Sequence, residues 1–115
     1  MKKVMVVDDS LVDSEHLSKI LRGAGCEVSV ATSGDAALDL MRRALPDLVL
    51  MDINMPGTDG FATARKMGRQ AQTKDIPVVF VTSKDQKADR VFAKILGAKA
   101  YITKPYHDDD ILAVI

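Results

Sequence analysis

Lys3–Val7, Leu48–Met51 and Ile76–Val81 are short and almost wholly apolar, and each run is stopped by polar residues: Asp8-Asp9, Asp52 and Thr82. Strands of that kind need cover on both faces. Such cover arises when parallel strands are joined by crossover helices. Glu27–Ala31 alternates as a strand does, and Ala100–Ile102 is a fifth, shorter run. The segments between them change to a helical period. Leu11, Ser14, Leu17, Ile20 and Leu21 recur at helical spacing, as do Ala37, Leu38, Met41 and Leu45. Phe61, Ala64 and Met67 mark a third helix, and Ala88, Val91, Phe92 and Ile95 predict the inner side of a fourth. Helix starts are readable too. Ser10 with Asp13 and Ser83 with Gln86 read as capping boxes, Ser33 opens the second helix, and Asp59 caps the third. Gly23 with Gly25 and Gly97 close helices, and Pro46 follows the second. Asp108, Asp109 and Asp110 fall in the first turn of a fifth helix, where carboxylates favour the free amides. Only Ile111–Ile115 follow that turn, so either the gene continues or this end frays. Five strand–helix pairs predict an α/β fold with a parallel sheet covered on both faces.

At 115 residues the chain suits a single domain, 1–115, able to bury roughly two thirds of its extended surface. The lone Cys26 excludes an internal disulfide and reads as a buried or half-buried thiol. Met1-Lys2-Lys3 looks like the start of a leader, but the apolar run after it stops at Asp8. No run approaches the ~20 apolar residues of a membrane helix. The expected compartment is therefore the cytoplasm. Formal charge is zero overall, yet residues 1–59 carry ten acidic and six basic groups, a balance of −4. Between Lys84 and Lys104 the balance is +4, from six basic groups against Asp85 and Asp89. That excess is either a solvated helix face or a docking surface for a protein partner. No basic helix-turn-helix or aromatic-basic sheet pattern accompanies it, which argues against nucleic acid.

In an open parallel sheet, sites form outside the carboxyl ends of the strands. Asp8-Asp9, Asp52, Thr82 and Lys104 each follow a strand at that edge and should face one crevice. Aspartates there serve alone as helix caps, but capping does not explain a lysine beside them. Carboxylates crowded together repel unless protonated or bound to a cation, and a hard oxygen-seeking ion such as Mg²⁺ or Mn²⁺ answers the problem. A carboxylate in such a crevice can attack phosphorus to give an acyl phosphate, with metal, lysine and hydroxyl sharing the phosphoryl oxygens. Asp52 is the candidate nucleophile, since it ends the central strand ahead of the Gly/Pro loop Asn54–Gly60. Asp9 is a candidate direct metal ligand and Asp8 a direct or water-mediated one. The Asn54 backbone carbonyl is the candidate third ligand.

The pieces V6-V7-D8-D9-S10, L50-M51-D52-I53-N54-M55-P56-G57-T58-D59-G60, V81-T82-S83, G97-A98 and Y101-I102-T103-K104-P105 resemble the receiver domain of bacterial two-component response regulators. They span nearly the whole chain in the family's order. The resemblance implies a flavodoxin-like five-stranded sheet in the order 2-1-3-4-5, and Mg²⁺-dependent phosphorylation of Asp52 by a histidine kinase or a histidine phosphotransfer protein. It implies that Asp8 and Asp9 organise the metal, that Thr82 is the switch hydroxyl, and that Lys104 contacts the phosphoryl oxygens. It further implies a cis Lys104–Pro105 bond, and that Tyr101 is the aromatic that swings inward. A downstream protein is expected on the face made by helix 4, strand 5 and helix 5. Ser83 stands where alanine is frequent and adds a hydroxyl near the phosphoryl pocket, unless it is only an N-cap. The stretch T82-S83-K84-D85-Q86 with D89-R90-V91 is similar to the stand-alone receivers of type IV pilus twitching-motility systems.

The remaining residues point to no further chemistry. His16 and His107 lack a second histidine at ligand spacing, and Met51 and Met55 read as packing residues. No phosphate-binding GxxxxGK loop is present, which argues against an ATPase. Two other functions use the same residues. A phosphohydrolase of the haloacid-dehalogenase type would also employ Asp52, but such enzymes place a second aspartate where Asn54 stands. A constitutive interaction module would keep the fold without depending on phosphorylation.

Overall fold

The computed structural model describes residues 1–115. Elements alternate strictly: β1 (Lys3–Val7), α1 (Leu11–Gly23), β2 (Glu27–Ala31), α2 (Gly34–Arg43), β3 (Leu48–Met51), α3 (Gly60–Gly68), β4 (Val78–Thr82), α4 (Lys87–Ile95), β5 (Ala100–Thr103) and α5 (Asp108–Leu112). The strands form one parallel sheet in the order β2-β1-β3-β4-β5, as expected.

Alternation along the strands divides the core in two. Met5, Val7, Val49, Met51, Val78 and Phe80 point to the side covered by α2, α3 and α4, where they meet Leu38, Met41, Met67 and Ala93. Val4, Val6, Leu48, Leu50, Val79 and Val81 point the other way, onto Leu17 and Leu21 of α1 and Ile111 of α5. Every residue of β3 and β4 is buried. β2, at one edge, buries only Ala31. Ser14 and Ser18 lie on the inner stripe of α1 without cost, because their hydroxyls donate to the Leu11 and Ser14 carbonyls at 3.1 and 2.7 Å. Gly25, with φ +86°, ends α1 by letting its own amide and that of Cys26 turn back to Arg22 and Leu21.

Four expectations are corrected. β4 begins at Val78 rather than Ile76, because the ladder to β3 starts with Val49 opposite Val78, just past Pro77. α4 begins at Lys87 rather than after Ser83, which is exposed. Its capping box pairs Gln86 with Asp89, whose carboxylate accepts from the Gln86 amide at 3.4 Å. The inner side of α4 is also different. Ala93 is its buried residue, with Phe92 half-buried, while Val91 and Ile95 are 50% and 73% exposed. Leu11 and Leu45, assigned to inner stripes, are likewise exposed. A helical period marks a stripe but not its bearing. Here α4 is set by Phe92 meeting Phe61 of α3 edge-on, 4.8 Å between ring centres.

Candidate functional site

β1 and β3 run side by side with Val7 opposite Met51, so the residues that follow emerge together. The Asp8 amide donates to the Ala31 carbonyl at 3.0 Å and the Asp52 amide to that of Val7 at 2.9 Å. Asp8 and Asp52 are thereby buried, 1% and 8% exposed, while Asp9 stands open to solvent. One carboxylate oxygen from each of the three lies within 4.8 Å of the others. At the opposite margin, β4 and β5 pair Thr82 with Thr103, and the Lys104 amide donates to the Thr82 carbonyl at 2.9 Å. The Lys104–Pro105 peptide is cis.

From there the Lys104 ammonium reaches back across the edge. Its Nζ lies 2.8 Å from Asp8 Oδ2, 2.8 Å from Asp13 Oδ2 and 3.2 Å from Asp52 Oδ2. An ammonium has three N–H groups, and all three are taken. The other oxygens are held by main chain. Asp8 Oδ1 accepts from the Ser10 amide at 2.9 Å, and Asp52 Oδ1 from those of Ile53 and Asn54 at 2.7 and 3.3 Å. Gly60 makes room for this arrangement. Its amide donates to the Ile53 carbonyl at 3.0 Å, and a Cβ there would overlap the Asp52 carbonyl oxygen.

Burial pushes the Asp8 carboxyl up, and the Lys104 hydrogen bond opposes this only in part. Burial also draws the Lys104 ammonium down, but its bonds to Asp13 and Asp8 and the charge of Asp52 outweigh that and hold it above its ordinary value. Three carboxylates thus share one lysine, and a fourth, Asp9, stands beside them. The donor set is all oxygen, two of its members are buried, and one positive charge does not balance it. Such a set fits a small hard dication. Asp8, Asp9 and Asp52 are the cluster placed to hold such an ion.

Thr82 is fully buried at the end of β4, and its Oγ1 accepts from the Lys84 amide at 3.2 Å. The carbonyl of Lys84 in turn accepts from the Tyr101 hydroxyl at 2.7 Å. Tyr101 is half-buried, with the Arg90 guanidinium 4.8 Å from its ring centre. Thr82 and Tyr101 are therefore linked through one residue's backbone, and Tyr101 does not touch the carboxylates. Asp13 is the residue that sequence reasoning misplaced. Ser10 does cap α1, its Oγ accepting from the Asp13 amide at 3.2 Å, but the Asp13 carboxylate turns to Lys104 instead of completing a capping box. Its spacing from Asp9, one helical turn into α1, is the signal that could have placed it at this edge.

The match to known proteins agrees with this geometry. Residues 4–115 match the family model described as response regulator receiver domain, and the chain belongs to that family. It is 41% identical to protein PilH of Pseudomonas aeruginosa across all 115 residues, which cover 95% of that protein. It is 40% identical to the response regulator PleD of Caulobacter vibrioides over 106 residues, 92% of this chain but 23% of PleD. The chemotaxis protein CheY4 of Vibrio cholerae superposes with a TM-score of 0.93 at 32% identity, covering 99% of this chain and 95% of that one. The chain is thus a two-component receiver of chemotaxis-like type, a phosphoaccepting, Mg²⁺-dependent signalling switch that works with cognate histidine kinases. It takes up a phosphoryl group once rather than turning over as an enzyme, which sets aside the phosphohydrolase. No helix is long and apolar enough to cross a membrane.

Proposed function

We propose that residues 1–115 act as one cytoplasmic receiver domain, with Asp52 as its phosphoacceptor. The observation carrying this reading is the Asp52 carboxylate itself. It is nearly buried, its Oδ1 is fixed by two main-chain amides, and its Oδ2 meets a lysine ammonium. In the transfer, the Asp52 carboxylate attacks the phosphorus of a phosphohistidine. An O–P bond forms as the N–P bond breaks, and the imidazole leaves with the electron pair and takes a proton from solvent. Lys104 then turns an N–H toward the phosphoryl oxygens, where charge accumulates. Asp8, Asp9, Asp52 and the backbone carbonyl of Asn54 would hold Mg²⁺, with Mn²⁺ an acceptable replacement. Bound there, the ion would supply positive charge to carboxylate and phosphoryl oxygens alike.

The modification adds about two negative charges and three acceptor oxygens. Thr82 is placed to answer them by giving up the Lys84 amide, which frees the loop whose carbonyl holds Tyr101. Tyr101 then moves inward and α4 shifts. The face of α4, β5 and α5 is the proposed docking surface for a downstream protein. Ser83, exposed beside Thr82, is the proposed modulator of phosphoryl lifetime. The likeness to PilH supports a chemotaxis-like system, and the resemblance to twitching-motility receivers supports twitching motility as its output.

Intact-protein mass after incubation with acetyl phosphate tests the acceptor. A single adduct that requires Mg²⁺ and vanishes in Asp52→Asn supports it. An adduct that survives in Asp52→Asn refutes it.

A further inference from the structure

Lys104 is the one cation of the site, and Asp13 takes a share of it that the chemistry does not require. The two contacts to Asp8 and Asp13 are both 2.8 Å, and the contact to Asp52 is longer at 3.2 Å. Asp8 lies at the end of β1 and is 1% exposed, so it belongs to the buried floor of the crevice. Asp13 lies on the first turn of α1, and its side chain is 44% exposed. Its backbone position is fixed by the Ser10 cap. The ammonium is therefore suspended between a floor carboxylate, the acceptor and a carboxylate at the mouth.

All three N–H groups of Lys104 are committed; the one on Asp52 turns to the phosphoryl group as that carboxylate is phosphorylated, and a second N–H is gained only if Asp8 or Asp13 releases it. Asp8 is 1% exposed, so water has no room to take the place of the ammonium there. Asp13 is half open, and water can replace the lysine at its carboxylate at little cost. Asp13 is the partner that gives way.

We propose that Asp13 is a positioning residue that acts through Lys104. It holds the ammonium toward the mouth of the crevice in the resting state and must release it for phosphoryl transfer to Asp52, so that it restrains the rate of transfer. The inference rests on Asp52 being the acceptor.

The test measures the rate of adduct formation with acetyl phosphate in the presence of Mg²⁺, for wild type, Asp13→Asn, Asp13→Ala and Asp13→Glu. Each is also combined with Lys104→Gln to complete a double-mutant cycle. Removing one partly exposed, charge-assisted contact predicts that Asp13→Asn and Asp13→Ala accelerate transfer about three- to tenfold. Asp13→Glu should stay near wild type, and in the Lys104→Gln background the gain should disappear. A second readout needs neither metal nor phosphodonor: the Lys104 ¹⁵Nζ resonance should shift in Asp13→Asn and return toward its wild-type position in Asp13→Glu. Unchanged or slower transfer in Asp13→Asn and Asp13→Ala overturns the proposal. So does an equal gain in the Lys104→Gln background, because Asp13 would then repel the anionic donor directly. Failure of the acceptor reading is distinct, since it appears as a wild-type adduct that persists in Asp52→Asn.

Discussion

Around Asp52 the carboxylates are held by main-chain amides and a shared ammonium, and no buried side-chain polar atom of the protein lacks a partner. The outer face of α4 is built differently. Ala93 is its one buried residue, Val91 and Ile95 project outward, and the exposed ion pair of Arg90 with Asp85 spans its first turn at 3.0 Å. The first region is costly to rearrange because each group moved leaves another unpaired. The second loses little when it moves. A switch needs both, a site that accepts a modification in one defined geometry and a face with shallow footing that can respond. Between them stands a short relay: Thr82, the backbone of Lys84, and Tyr101.

The sharpest way to break the contrast is to mutate each region for stability. Phe80→Ala, in the core of β4 beneath α4, should cost roughly 3–5 kcal/mol, whereas Ile95→Ala should change stability by less than about 0.5 kcal/mol. Urea unfolding of both variants checks this, and a large loss in Ile95→Ala would show that α4 is more firmly seated than its burial indicates. Gly60→Ala comes next. The new Cβ would collide with the Asp52 main chain, so a loss of roughly 2–4 kcal/mol is expected, together with slower phosphorylation.

Asp8→Asn should act in the opposite direction. Removing one of the crowded carboxylates should stabilise the metal-free protein at neutral pH by about 1 kcal/mol, or about 4 °C in Tm. The Asp8 carboxyl is raised, so the native state binds that proton more firmly than the unfolded chain does. Its penalty is fully present above the native value and absent below the ordinary value of 3.8. The Tm advantage of Asp8→Asn should therefore shrink as the pH falls through that window. Thermal melts from pH 7 to pH 4 measure it. The smallest effect at neutral pH belongs to Tyr106, which burial pushes up to about 12 from an ordinary 10.0. Its native pKa is raised, so stability is intact below pH 10 and declines as the pH climbs toward 12. Phenolate absorbance should show a step near 12 that Tyr106→Phe removes.

Sequence reasoning found the sheet because β1, β3 and β4 are buried on both faces, and an apolar run closed by a polar residue records both the strand and its carboxyl end. Asp8, Asp9, Asp52 and Lys104 were legible for the same reason: each follows directly on a strand, and strand order then brings them together. Other features depend on contacts that local pattern does not record. Asp13 sits three residues after a serine, as a capping partner does, and only the lysine 91 positions away redirects it. Ser83 with Gln86 read as the capping box of α4, but the cap falls to Gln86 because Asp89 answers it. The stripe Ala88, Val91, Phe92 and Ile95 has a helical period, but its outward bearing is set by Phe92 packing on Phe61.

The central claim is that phosphorylation at the rigid carboxyl edge is read out on the loosely seated face of α4. Amide ¹H–¹⁵N spectra of the Mg²⁺-loaded protein before and after acetyl phosphate test it most directly, with Thr82→Ala as the broken relay. The expected result is that shifts extend from Asp52 through Lys84 and Tyr101 into α4 while β2 stays in place, and that Thr82→Ala confines them to the crevice. Shifts that stop at the crevice in the wild type, or that reach α4 undiminished in Thr82→Ala, would contradict it.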